Sequence, residues 1–165
     1  MSGKVVVFSL ADRMFALPAD QVRECLPLPL LWRRDGVPAH VAGFFSIGGV
    51  VLPVLDLGLL LGLRSIEEDA ASFEAGGLYR HLLRVGDLAL LVDRVTTLAD
   101  RASGPREARS DDWQKACVIG WIEIDGLRVA LLDAGRILLA DEASRLQRLT
   151  EEAARRRALW TADAG

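Results

Sequence analysis

The chain has 165 residues, 51% of them hydrophobic and 26% charged, with a net charge of −3. That length suits one domain or two small lobes around a shared core, and the apolar content excludes a disordered chain. Twenty basic against 23 acidic residues offer no basic surplus, so nucleic acid is not an expected partner.

In chain order, Met-Ser-Gly-Lys leads into Val5-Val-Val-Phe8, an apolar run too short for a secretion signal. Lys4–Leu10 reads as a strand, Ala11-Asp12-Arg13 as a turn and Met14–Leu17 as a second strand. Asp20–Cys25 alternates weakly and ends at Pro27. The segment 27–38, with Pro27, Pro29, Trp32, Arg33 and Arg34, reads as an irregular surface loop running into a short turn over Ala39–Ala42.

The next stretch occurs twice. Gly43–Leu61 aligns without a gap on Gly120–Leu138, with identities at Gly43/Gly120, Ile47/Ile124, Gly49/Gly126, Leu55/Leu132, Asp56/Asp133, Gly58/Gly135 and Leu61/Leu138. Three glycines and an aspartate in register mark one structural unit used twice. Within it, a short strand (Gly43–Ile47, Gly120–Ile124) meets Gly48-Gly49 or Asp125-Gly126. Such dipeptides suit a two-residue hairpin turn, whose central residues need φ > 0. The returning runs, Val50–Leu55 and Leu127–Leu132, are almost wholly apolar, as expected of strands buried on both faces. Asp56 and Asp133 then stand where a short helical turn begins, as N-caps. Pro53, Asp56 and Gly58 interrupt the Leu-rich Val50–Leu63, which falls short of a bilayer span.

Between the copies, the acidic 64–78 ends in Gly76-Gly77 and reads as a mobile linker. His81–Val85, the Gly86-Asp87 turn and Leu88–Val92 then repeat the opening of the chain, and Asp93-Arg94-Val95 answers Asp20-Gln21-Val22. The polar 100–115 is the counterpart of 27–38. Each half is thus a small all-β unit of four or five strands, and two of them predict paired small barrels. From Asp141 the pattern turns helical, with Leu139, Leu146, Leu149, Ala153 and Trp160 near one face. Beyond Thr150 that stripe offers little but Trp160 to bury, so the distal turns are expected either to fray in the monomer or to be completed by a partner, with Trp160 exposed when the chain is alone. Arg155-Arg156-Arg157 points in three directions around a helix and reads as a solvated end rather than an anion site.

Catalytic motifs are missing. The sequence contains no Gly-x-Gly-x-x-Gly, no phosphate-loop lysine motif, no Gly-x-Ser-x-Gly and no Cys-x-x-Cys. His40 and His81 lack the spacing of a metal motif, and Cys25 and Cys117 indicate no disulfide framework and fit a reducing compartment. Cys25 with His40 lacks a third, orienting residue. Glu24, between apolar neighbours, is either plain surface or one polar anchor of a binding groove. By elimination the chain is expected to bind rather than catalyse, with no cofactor and no metal.

The ordered set of Phe8-Ser-Leu, Phe15-Ala-Leu-Pro, Val22-Arg23-Glu24, Gly43-Phe-Phe-Ser-Ile-Gly-Gly, Leu52-Pro-Val-Leu-Asp-Leu, Val92-Asp-Arg-Val and Leu131-Leu-Asp resembles the CheW family, the adaptor domain of bacterial chemosensory arrays. The resemblance runs from Val5 to Leu139. It implies a domain over 1–140 made of two intertwined SH3-like five-stranded β-barrels, lobes near 15–78 and 79–140 with the N-terminal strand shared, followed by a helical extension over 141–165. It also implies a non-catalytic adaptor, cytoplasmic and associated with membrane receptor arrays without inserting into the membrane. The adaptor would bridge a chemoreceptor cytoplasmic tip to the regulatory domain of a CheA-type histidine kinase. Matching positions assign partner contacts to Val22, Glu24, Gly43, Gly48, Gly49, Leu83, Val85 and Val95. The family's Asn-Leu-Arg-Gly is here Ser46-Ile47-Gly48-Gly49, so the arginine that lies at receptor and kinase contacts is replaced by Gly48. The glycine favours the turn but removes a planar guanidinium that no other side chain mimics. A member binding only one partner without activating the kinase, and a β-barrel ligand-binding module, stand as alternatives.

Overall fold

A computed structural model describes residues 3–33, 35–37, 40–65, 67–68, 80–100, 117–137 and 140–163, with side chains described only for 150–161 of the last segment. Ten strands form two five-stranded sheets. The first half supplies β1 (Lys4–Leu10), β2 (Arg13–Pro18), β3 (Glu24–Pro27), β4 (Val41–Ile47) and β5 (Val50–Asp56). The second supplies β6 (His81–Val85), β7 (Leu88–Val92), β8 (Arg94–Asp100), β9 (Val118–Ile124) and β10 (Leu127–Leu132). Short helices α1 (Leu57–Leu60) and α2 (Ala134–Ile137) follow β5 and β10, and α3 (Ala140–Asp163) closes the chain. The expected all-β class with two SH3-like five-stranded sheets and a terminal helix is what is found.

The strand order is β8-β1-β2-β10-β9 in one sheet and β3-β6-β7-β5-β4 in the other. The two orders become identical when β1–β5 are exchanged with β6–β10, so each half gives its opening hairpin to the sheet of the other. The splice is parallel in both cases: β2 beside β10 through Phe15 and Ala130, and β7 beside β5 through Leu90 and Leu55. The sequence division near 78 therefore separates repeats, whereas each sheet draws strands from both. The junction itself lies outside the described residues, as does most of 64–78 and 100–115.

Alternation along the strands sorts their side chains into three cores. Phe8, Leu10, Phe15, Leu17 and Leu132 of one sheet meet Phe44, Leu55, Leu83, Leu90 and Val92 of the other in a shared core. The opposite faces bury smaller sets, with Val5, Val7, Ala16, Ile122, Val129 and Leu131 in one sheet. Phe45, Leu52, Val54, Leu82, Ala89 and Leu91 form the equivalent set in the other. The repeat is preserved here: Phe45, Leu52 and Val54 stand where Ile122, Val129 and Leu131 stand. β5 and β10 are each flanked by two strands and covered on both faces, which explains their unbroken apolar runs.

Both repeated hairpins turn as expected, with φ of 56° and 81° at Gly48 and Gly49 and 51° and 78° at Asp125 and Gly126. Each also carries a register shift at the same place, between Val41 and Gly43 opposite Leu55 and Val54, and between Leu131 and Leu132 opposite Gly120 and Val118. A third shift, where β1 meets β8, sets Phe8 opposite Val95. The surface loop expected over 27–38 is partly pinned. Trp32 N–H donates to Phe44 O at 3.0 Å and Phe44 N–H to Trp32 O at 2.9 Å, and their rings stack 6.3 Å apart.

The terminal helix departs from expectation. Leu139, and the side chains of Leu146 and Leu149, lie outside the described residues. The distal turns do not fray: the helix runs to Asp163, packs against β5 and buries Ala153. Arg157 stacks on Trp32, 5.5 Å from its ring centroid, so the pinned loop supplies a surface that helical periodicity alone does not reveal. Trp160, at 77% exposure, faces solvent as expected.

The paired aspartates diverge. Asp56 Oδ1 accepts from Leu59 N–H at 3.2 Å and caps α1, and Oδ2 faces Arg80 Nη2 at 3.4 Å, both residues being buried. Asp133 instead accepts from Gln21 Nε2 at 2.7 Å, and Gln21 Oε1 accepts from Ala134 N–H at 2.9 Å. Gln21 thus takes an N–H at the start of α2, across 113 residues of chain. Asp56→Ala leaves a buried arginine short of a counter-ion and should cost about 3–5 kcal/mol. Asp133→Ala removes the Gln21 hydrogen bond and a solvent-screened contact with the exposed Arg136 at 3.7 Å, and should cost about 1 kcal/mol. Urea melts of the two variants decide, and equal losses would remove the distinction between them.

Candidate functional site

The eight positions assigned to partner contacts divide into a seam between the sheets, a chain crossing and a hairpin tip. Val22 leaves the 3-10 turn Ala19–Gln21 in extended conformation, and the next residue, Arg23, donates its N–H to Arg84 O at 2.8 Å. β3 begins there as an edge strand, against β6, while β8 is an edge strand of the other sheet. Val22, Val85 and Val95 are half-buried and all pack on the shared core. Each leaves part of its side chain uncovered at the edge of that core. Leu83 is wholly buried behind them, opposite Leu90, so it supports the seam without reaching a partner directly. Glu24 faces Arg84 across the β3–β6 pair, with Oε1 3.0 Å from Nη1. Its neighbour is therefore charged rather than apolar, and the pair forms a polar rim beside the three valines.

Gly43 serves the crossing. A Cβ built there would lie 2.8 Å from Trp32 O and 3.0 Å from Leu31 Cβ, because the pinned loop passes directly over it. Any side chain would push the loop off β4. Gly48 and Gly49 occupy the tip of the β4–β5 hairpin, where an added Cβ meets open space and only the positive φ resists substitution.

A cluster that sequence reading missed joins the ends of several strands. Asp93, after β7, forms a two-pronged ion pair with Arg64, one contact at 2.6 Å, and lies 3.7 Å from Arg80. Its Oδ2 also accepts from Ala11 N–H at 2.9 Å, and Asp93 N–H donates to Ser9 O at 3.1 Å. Ala11 and Asp12 hold φ of 49° and 64°, a turn that non-glycine residues adopt at a cost, and Asp93 braces it. The one available signal was the correspondence of Asp93 with Asp20, which shows a repeated position but not its partners.

Nothing at Cys25 supports nucleophilic chemistry. It is exposed on β3, and desolvation raises its thiol pKa, the opposite of what an attacking thiolate needs. His40 meets the end of β5 through its carbonyl, which accepts from Asp56 N–H at 2.7 Å. Among the described residues no group of three or more His, Cys, Asp or Glu is placed to hold a metal ion, and no helix is long and apolar enough to cross a membrane.

Residues 4–142 match the family model described as CheW-like domain. The chain is 24% identical over 147 residues to a chemotaxis protein CheW of Rhizobium meliloti (strain 1021), covering 84% of this chain and 89% of that protein. It is 25% identical over 138 residues to a probable chemotaxis protein CheW of Rhizobium etli, covering 79% and 83%. Its fold is similar to the crystal structure of the scaffolding protein TtCheW from Thermoanaerobacter tengcongensis, with a TM-score of 0.70 at 20% identity over 86% of this chain and 91% of that one.

Gly43→Ala is expected to lower stability by about 1–3 kcal/mol, because the clash is with backbone that cannot rotate away. Gly48→Ala carries only the left-handed backbone penalty, about 1 kcal/mol. Denaturant midpoints that fall equally for the two would show that the crossing relaxes freely.

Proposed function

Because the chain belongs to the CheW-like domain family, we propose that it is a chemotaxis scaffold that couples a chemoreceptor cytoplasmic tip to the regulatory domain of a CheA-type histidine kinase. In this reading it has no catalytic activity of its own, works in the cytoplasm and is held at membrane receptor arrays by its partners. The observation that carries the reading is the valine margin of the inter-sheet seam. Val22, Val85 and Val95 come from three strands or strand flanks, are half-buried without a partner, and end in the Glu24–Arg84 rim. Apolar centre and polar rim are the arrangement of a protein-binding surface.

A second reading follows from Gly48. Without a guanidinium at the hairpin tip, this member would hold the kinase weakly and serve mainly on the receptor side. The hairpin accepts a larger residue sterically, since the space beyond Gly48 is open.

Val22→Lys or Val95→Lys places a charge in a contact that must desolvate. Each should reduce co-purification with receptor tips roughly tenfold or more while leaving the melting temperature near wild type. Full recovery of receptor tips by both folded variants would reject the seam as the contact. For the kinase side, Gly48→Arg should tighten binding to the regulatory domain in titration calorimetry, despite a left-handed backbone cost of about 1 kcal/mol. Tighter binding by the native glycine form would reverse that argument.

A further inference from the structure

The terminal helix and the pinned loop enclose a groove of about 570 Å³ away from the seam. Its apolar surface comes from Leu30, Trp32 and Phe45 on the sheet side and from Ala153 and Trp160 on α3. Leu30 and Trp160 are 95% and 77% exposed, so two large apolar side chains stand at the mouth in water. Arg33, Arg156 and Arg157 line the same groove, and no lining residue carries a carboxylate. The chain as a whole carries 23 acidic residues against 20 basic ones, so this concentration of positive charge is local. Among the described residues, none of these three guanidinium groups is paired with a carboxylate. Arg157 rests on the Trp32 ring, which orients it while leaving its N–H groups available to an anion.

We infer that this groove docks an acidic peptide segment of a partner protein, one that carries a bulky apolar residue between carboxylates. The apolar residue would cover Trp32 and Trp160, and the carboxylates would meet the arginine fork geometry that matches them. Tryptophan and arginine together are the side chains that most often dominate binding energy at protein interfaces. The volume lies in the range that encloses a few side chains rather than a whole domain face. Ala153, Arg156, Arg157 and Trp160 all lie past residue 142, where the family match ends. One wall of the site therefore comes from the segment past the family match and the other from within it, and the groove would add a contact beyond the receptor and kinase surfaces proposed above.

The test is selection of a random dodecapeptide display library on the full chain, with Arg156→Glu/Arg157→Glu as counter-selection. Both arginines are exposed on α3, but Arg157→Glu also gives up the Trp32 stack, so a modest fall in the double variant's melting temperature is expected. Arg156→Glu alone serves as the control with that stack intact. Arg33→Glu, on the other wall, serves as an independent charge reversal. The expected consensus places Asp or Glu around Leu, Phe or Trp. A synthetic consensus peptide should lose roughly tenfold or more in affinity to the double variant and to Arg33→Glu, since attraction becomes repulsion at each site. Trp160→Ala should weaken it as well, and Val22→Lys should not, so this inference and the seam fail separately. Absence of a consensus, a consensus without acidic residues, or equal affinity for the charge-reversed variants would overturn it. Arginine-dependent flotation with phosphatidylglycerol vesicles, or arginine-dependent self-association in sedimentation, without acidic-peptide binding, would assign the groove to a membrane or to a second copy instead.

Discussion

Two short parallel pairings hold this molecule together. β2 meets β10 and β7 meets β5, and each pairing joins the opening hairpin of one repeat to the closing hairpin of the other. Neither sheet exists within one contiguous half of the chain. The shared core then forms only when both sheets are in place, because Phe8 and Phe15 come from one and Phe44 and Leu90 from the other. Such an arrangement favours all-or-none unfolding and, through its long-range pairings, slow folding.

The exchange also decides where charge is buried. The end of β5 and the start of β6 approach the β7–β8 junction, which concentrates Asp56, Arg64, Arg80 and Asp93. At the equivalent place in the other sheet Gln21 bridges Asp133 and Ala134 N–H by hydrogen bonds, with the exposed Arg136 3.7 Å from Asp133 at its edge. One repeat has thus kept an ionic solution and the other an amide solution to the same demand, that the N–H groups opening a short helix be satisfied. The ionic side is the less tolerant of loss, since removal of either partner leaves a buried charge. Asp93 further braces the strained Ala11 turn, so the charged cluster ties the exchanged hairpin to its host sheet.

With the frame so fixed, the proposed surfaces fall at the sheet edges and under the terminal helix. The seam margin at Val22, Val85 and Val95 is left half-covered because β3 and β8 are edge strands of different sheets. The groove under α3 exists because the loop before β4 pins Trp32 over Gly43 and α3 lies against it through Arg157. The two proposed surfaces differ in electrostatic character, the seam being rimmed by the Glu24–Arg84 pair and the groove by arginines.

The sequence alone determined the local elements. Apolar runs bounded by turn residues placed β1, β6, β7 and β10 at their observed bounds, and Gly48-Gly49 and Asp125-Gly126 specified turns that need positive φ. The repeat located the paired hairpins and, with the family resemblance, the two five-stranded sheets. These features are legible because each depends on neighbours a few residues away. The tertiary structure decided which strands share a sheet, why Asp56 and Asp133 are not equivalent, and why two of three consecutive arginines line one groove. It also extended a helix whose distal face looked unsupported, by bringing Trp32 to Arg157. Those outcomes rest on contacts such as Arg64 with Asp93, Ala11 with Asp93 and Gln21 with Asp133, separated by 29, 82 and 112 residues. Periodicity carries no information about pairs so distant; their proximity is created only when the exchanged hairpins close.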